Sequence, residues 1–212
     1  MITLISMLKE IIIMPQHSKM IIKDVRCVYT TVQSPWERGD GKPGKYSLRI
    51  LIPKSDKGTI KTIRSHVKSV LIAEFGSKCL ENIGNYKSPL RDGDTDENVQ
   101  DKGPIYKGMY FMNIRSYDKP GVVNRFNEIA TEKELEEHCY PGAYVHVSAG
   151  FFPFNHSGLK GVGAGLNNIM LRMRGDRLNR EAATDAFGNY ADETEEFDEF
   201  DDVKYVDEMV PF

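Results

Sequence analysis

The first residues to consider are those that could do chemistry: carboxylates, histidines, cysteines and glycine runs. DGDTDENVQDKG, from Asp92 to Gly103, opens like a calcium loop, with Asp92, Asp94 and Asp96 in alternation. It places Glu97 where the loop's sharp turn needs glycine and Gly103 where a bidentate glutamate should stand, so no calcium site of that type is expected. The same three aspartates leave open a metal-dependent nuclease in which they would hold Mg²⁺. In GVGAG, the residues Gly161, Gly163 and Gly165 alternate instead of following dinucleotide spacing, and no strand-turn-helix unit surrounds them. A tight turn or a bulge is the expectation there. His17, His66, His138, His146 and His156 are dispersed, and Cys27, Cys79 and Cys139 are odd in number without a CxxC spacing. Without an HExxH, GxSxG or phosphate-loop signature, no catalytic residue, resident metal or cofactor is expected, and the protein is not expected to be an enzyme.

Binding chemistry is better represented. Strands must position it, because side chains alternate between the two faces of a strand. In KYSLRILIP, Tyr46, Leu48, Ile50 and Ile52 share one face while Lys45, Ser47 and Arg49 share the other. In GMYFMNIRS, Tyr110, Met112 and Ile114 oppose Phe111, Asn113 and Arg115; in NNIMLRMRG, Ile169, Leu171 and Met173 oppose Met170, Arg172 and Arg174. Tyr144 and His146 join the polar faces from AYVHVSAGFF. Together these outward faces mix cations, aromatic rings and an amide, a combination suited to single-stranded nucleic acid. Cations neutralise phosphates, and flat rings stack on unpaired bases. Trp36, in a loop with Arg38, Lys42 and Lys45, is a further candidate for stacking, with barrel plugging as the bland alternative. The run Phe151, Phe152 and Phe154 is partly core, and the sequence does not assign which rings are exposed.

The remaining elements follow from periodicity. IIKDVRCVYTTV, from Ile21 to Val32, suggests a first strand. Ile60, Ile63, Val67, Val70, Leu71 and Phe75 recur at three- and four-residue spacing, predicting an amphipathic helix between Asp56 and Gly76. Residues 84–107 predict a long surface loop. Thr131 with Glu134 forms a capping-box pattern that opens a short helix before the fourth strand. About five strands with one long and one short helix predict a mainly β fold, an OB-type five-stranded antiparallel barrel over residues 21–180. A Greek-key sandwich with a covering helix stays open.

Charge divides the chain further. Residues 181–212 carry Lys204 alone against 12 acids, a net of -11, while the preceding 180 residues carry +8. This end, DETEEFDEFDD and onward to VDEMVPF, predicts a disordered acidic tail. The first 20 residues form an N-terminal extension. Their apolar stretch is broken by Lys9 and Glu10 and lacks a basic leader, and no segment reaches the roughly 20 apolar residues of a membrane span. A soluble, cytoplasmic protein without a membrane partner is expected.

The closing acids followed by Pro211 and Phe212 resemble the tail tip of bacterial single-stranded DNA-binding proteins. KYSLRILIPKSD, PLRDGD, GMYFMNIRS, PGAYVHVSAGFFPFN and GLKGVGAGLNNIMLRMRGD, taken together, resemble phage-encoded single-stranded DNA-binding proteins with an OB fold, over roughly residues 20 to 180. The resemblance implies sequence-tolerant binding of single strands and work in replication, recombination or repair in the bacterial host's cytoplasm. It also implies docking of Pro211 and Phe212 on replication proteins such as a polymerase or helicase. The site residues expected to carry DNA are Trp36, Lys45, Arg49, Phe111, Asn113, Arg115, Tyr144, Arg172 and Arg174. An RNA-binding regulatory protein would use the same chemistry and stays open, as do a structural scaffold and a homo-oligomer.

Overall fold

The computed structural model describes residues 18–178, apart from 38, 40, 42 and 100–102. Seven strands appear: β1 (Ser18–Thr30), β2 (Tyr46–Pro53), β3 (Leu90–Asp92), β4 (Met109–Ser116), β5 (Gly121–Val123), β6 (Tyr144–His156) and β7 (Leu159–Met173). Two α-helices accompany them, α1 (Lys57–Phe75) and α2 (Glu132–His138). The sheet runs β3-β4-β2-β1-β6-β7-β5, and β4 pairs again with β7. That extra pairing, parallel and registered at Arg115 and Gly165, closes β1, β2, β4, β7 and β6 into a five-stranded barrel. The order 1-2-3-5-4-1 among the barrel strands, with a helix between the third and fourth, is OB topology.

Alternation works as the sequence predicts in the barrel interior. Ile50, Ile52, Met112, Ile114, Val145, Val147 and Ile169 fill the interior and are almost wholly buried. α1 lays Ile60, Ile63, Val67, Val70 and Leu71 against this core. Asp56 starts it by accepting a hydrogen bond from the Thr59 N–H at 3.0 Å, and the Gly76 N–H closes its last turn on the Ile72 carbonyl at 2.9 Å. α2 carries the predicted capping box, in which Thr131 and Glu134 exchange hydrogen bonds.

The expected five-stranded OB barrel is present, and its closing β4–β7 contact is parallel. Three other expectations need correction. Residues 84–107 are not all loop: a 3-10 segment (Ser77–Asn85) runs into them, then come β3 and a short 3-10 turn (Pro104–Tyr106). Met173, placed inward by alternation, is half exposed because it is the last residue of β7 and the core ends before it. The GVGAG glycines form neither turn nor bulge; all three lie inside β7 and share one face of it. Gly161 lets the backbone of Lys87 approach, where a Cβ would collide with the Lys87 carbonyl oxygen. Among the described residues, no helix is long and apolar enough to cross a membrane. The N-terminal residues before Ser18 and the tail expected at 181–212, with Pro211 and Phe212, lie outside the described residues.

Candidate nucleic-acid interface

One groove runs over the outer face of β2 and β4 and reaches β1 and β7. Its walls bring together Tyr29, Trp36, Lys45, Ser47, Arg49, Asn113 and Arg115, and it continues past Tyr117 and Phe152 to Gly163 and Gly165. β-pairing explains the assembly. Arg49 faces Asn113 and Tyr29, Ser47 faces Arg115, and Arg115 lies beside Gly165 of β7. Trp36 is pinned to the groove mouth by paired backbone hydrogen bonds with Lys45, at 3.0 and 3.4 Å. Its ring is 58% exposed, a large apolar area with no core to fill, so barrel plugging does not apply. Its other expected neighbours, Arg38 and Lys42, lie outside the described residues.

Of the predicted site residues, Trp36, Lys45, Arg49, Asn113 and Arg115 meet in this groove. Arg49 is held firmly. Its Nε donates to Asn113 Oδ1 at 2.7 Å and its Nη1 to the Tyr106 hydroxyl at 2.9 Å, while its guanidinium lies over the Tyr106 and Phe111 rings. Phe111 is the clear correction. It points outward as alternation requires, yet it is fully buried under a second small core of Val28, Leu51, Val99 and Tyr106, against which Leu178 also packs. A ring sealed in this way has no face for a base.

Tyr144, Arg172 and Arg174 also point outward, but none of them lines the groove. The outer surface of a closed barrel faces every direction, and these three occupy another part of it. Arg174 is paired with Glu137 of α2 at 2.8 Å, Arg172 lies 3.8 Å from Asp24, and half-buried Tyr144 sits under Arg26. His146 accepts a hydrogen bond from the Asp24 N–H at 2.9 Å.

Sequence reasoning missed three exposed rings of the groove. Tyr29 is 43%, Tyr117 61% and Phe152 38% exposed. The ammonium of Lys45 sits 4.3 Å from the centre of the Tyr117 ring. The Phe152 ring lies directly on Gly163, where an added Cβ would come within 2.7 Å of it, and it also borders Gly165. The available signal was the period-two glycine run opposite an aromatic run: Phe152 faces Gly163 in the β6–β7 register.

The three aspartates of the loop are engaged by cations of the protein itself. Lys54 pairs with Asp92 at 2.6 Å and with Asp94 at 2.7 Å, and Arg91 pairs with Asp96 at 2.5 Å. Hydrogen bonding from Lys54, and then from the Gly108 N–H, holds the Asp94 carboxyl below its usual range. At Asp96 burial works upward, but hydrogen bonds from Asn98 and Arg91 outweigh it and the net shift is downward. Asp92 and Asp94 thus meet on the Lys54 ammonium while Asp96 turns to Arg91, and among the described residues no three His, Cys, Asp or Glu side chains are grouped as a metal site requires. The three aspartates fasten the β3–β4 connection, which carries the cover over Phe111.

The barrel topology and its aromatic, cationic groove define an OB-fold protein with the surface of a single-strand binder. Residues 18–198 match the family model described as "Enterobacter phage Enc34, ssDNA-binding protein", and the chain belongs to this family. The single-stranded DNA-binding protein from bacteriophage Enc34, solved in complex with ssDNA, shares the fold at a TM-score of 0.61 and 24% identity. That match covers 76% of this chain and 89% of the Enc34 chain. The single-stranded DNA-binding protein gp2.5 of bacteriophage T7 matches at a TM-score of 0.51 and 13% identity, over 86% of this chain and 100% of the T7 chain. A protein called p50, from Acyrthosiphon pisum secondary endosymbiont phage 1, is 28% identical over 164 residues, which span 74% of this chain and 85% of that protein.

Proposed function

We propose that this protein coats single-stranded DNA without sequence preference and serves phage replication, recombination and repair as a non-enzymatic binding protein. The observation that carries this reading is the co-location, in one open groove, of the exposed rings Tyr29, Trp36, Tyr117 and Phe152 with Lys45, Arg49 and Arg115. Each base presents a ring face whatever its identity, so stacking tolerates sequence at about 1 to 3 kcal/mol per base. The cations follow the phosphate backbone and release counterions, with a slope of log K against log salt of about -0.7 per neutralised phosphate on a single strand. Titration of Trp36 fluorescence with an unstructured oligonucleotide across a salt series tests charge and stacking together. The expected result is quenching with a steep salt slope and a preference for single over double strands; equal affinity for both refutes the reading. The same titration with a matched RNA oligonucleotide decides against the RNA-binding alternative if DNA binds more tightly.

The acidic segment 181–212 acts as a tethered competitor for the groove. Its 12 acids oppose the basic body, and Leu178, close before it in sequence, lies at the groove wall beside Pro104, Ile105 and Arg49. A short tether gives a high effective concentration. Pro211 and Phe212 dock on replication proteins such as a polymerase or helicase once DNA displaces the segment. Truncation after Arg180 is expected to tighten DNA binding and abolish recruitment; unchanged affinity removes the competitor role.

A further inference from the structure

α1 has a polar surface sorted by charge. At about 100° per residue, Lys57, Lys61, Arg64 and Lys68 fall within an arc of about 60° and span roughly 16 Å along the axis. All four are exposed. Gly58, Thr62, Ser65, Ser69 and Ala73 occupy the adjoining part of the helix surface and are all uncharged. Among the described residues no carboxylate pairs with any of the four cations. Among the described residues only Arg64 of the four has a side-chain hydrogen-bond partner, donating to the Tyr110 hydroxyl at 2.9 Å. A helix that needed charge only for solubility would intersperse both signs. One cation per turn on a single line instead matches a polymer that presents a regular row of negative charge.

The stripe does not stand apart from the groove. Phe75 lies five turns from Lys57 on the same line of the helix. Lys160 of β7 sits 5.9 Å from the centre of the Phe75 ring. The backbone of Lys87 joins β7 at this point, donating to the Lys160 carbonyl and accepting from the Val162 N–H, both at 2.9 Å. Lys87 and Lys160 are both exposed. Three residues along β7, Gly163 carries the Phe152 ring, and Arg91 lines the groove there too. Cations therefore continue from Arg115 past Lys87 and Lys160 to Lys68 and Lys57, with Arg91, paired to Asp96, beside them.

We infer that α1 is a second segment of the DNA path: a strand leaving the groove at Phe152 crosses Lys87 and Lys160 and lays its phosphates along Lys57, Lys61, Arg64 and Lys68. This rests on the groove taking single-stranded DNA as read above. The stripe carries no exposed ring of its own between Lys57 and Lys68, so it contributes charge without stacking and lengthens the site rather than reading bases.

The test uses the full chain with Lys57→Ala, Lys61→Ala and Lys68→Ala combined. These exposed positions favour alanine in a helix, and a thermal melt confirms the fold. Binding is measured by anisotropy with labelled thymidine oligonucleotides of roughly 6 and roughly 25 nucleotides, one within and one beyond the span of one OB fold. The triple variant is expected to leave the short oligonucleotide unaffected and to weaken the long one at least tenfold, with its salt slope reduced by about 2. An unchanged long-oligonucleotide affinity overturns the inference, and so does an equal loss at both lengths. A gain in affinity also overturns it, because the stripe would then be holding the acidic tail. Arg115→Ala serves as the control: it lowers both lengths if the groove reading holds, and it fails at both if that reading itself is wrong.

Discussion

Gly163→Ala should weaken DNA binding while leaving the fold intact, a separation few core-strand substitutions achieve. A Cβ at Gly163 would lie 2.7 Å from Cζ and 2.8 Å from Cε2 of Phe152. The colliding atoms are the far end of a side chain that is 38% exposed, so the ring swings aside instead of the strand shifting. Gly163 is not among the residues with positive φ, and alanine in its place loses less conformational entropy than glycine on folding. The thermal midpoint should hold or rise. The displaced ring no longer lies flat as a platform, and one stacked base is lost. At about 1 to 3 kcal/mol per base, this corresponds to a roughly 5- to 150-fold weaker Kd for an unstructured oligonucleotide. Phe152→Ala should cost about the same. The double variant should bind no worse than Phe152→Ala alone, because the glycine acts only through the ring. Anisotropy titrations of the four proteins read this cycle. The reasoning fails if Gly163→Ala weakens binding equally with and without Phe152, or if it leaves binding unchanged.

Charge in the groove should separate from charge elsewhere on the barrel. Arg115→Ala and Lys45→Ala are each expected to reduce the salt slope by about 0.7 and to weaken all sequences alike. Arg174→Ala, whose side chain pairs with Glu137 outside the groove, should change the slope little in the same titrations. Tyr106→Phe removes the hydroxyl that holds Arg49. It should lower affinity severalfold, and no further when combined with Arg49→Ala. Asp94 and Asp96 have folded-state pKa values below the ordinary carboxyl value, so their stabilisation is complete above about pH 4 and is lost as pH falls through the lowered values. Thermal melts between pH 5 and pH 2 should show a fall in midpoint, and Asp94→Asn should make that fall smaller; an identical fall in the variant would show that the Lys54 pair has no part in it.

Interior elements were legible because their signals are local. The alternation of Leu48, Ile50 and Ile52, the helical spacing from Ile60 to Leu71 and the Thr131–Glu134 box each sit within one segment. The outer surface was only half legible. Strand parity tells whether a side chain leaves the barrel, but not toward which side of the barrel it then points. Arg49 and Arg115 lie diagonally across the β2–β4 pair in the groove region, whereas Arg172 and Arg174, of the same outward parity, point elsewhere. Nor does parity show what covers an outward residue. Phe111 is buried by Tyr106 and Val99 from the preceding turns together with Val28 and Leu51 from other strands, and strand parity carries no sign of that cover. Phe152 was unassigned because Phe151 beside it is the same residue type. Only the opposing Gly163 distinguishes the outward ring.

The burial of Phe111 bears on function even though its ring takes no base. A bare β2–β4 face would be convex and would offer a strand no wall. The second core raises Tyr106 and its turn over one half of that face, and the Lys54 and Arg91 ion pairs fasten the connection that carries the turn. The other half stays open, and Arg49 stands at the boundary. Its carbon-centred face rests on both buried rings, while two of its five N–H donors are committed to Asn113 and Tyr106. With two donors committed inside the protein, Arg49 has less to offer a phosphate than Lys45 or Arg115. Its hydrogen bond to the Tyr106 hydroxyl also ties it to the wall. Leu178 packs into the same second core, so the segment that leads to the acidic tail is anchored to that wall. Loosening the wall, as by Val99→Ala, should therefore weaken DNA binding in an anisotropy titration. If the acidic segment competes for the groove as proposed above, truncation after Arg180 should then tighten binding less than it does in the parent protein; an equal gain in both would refute the link.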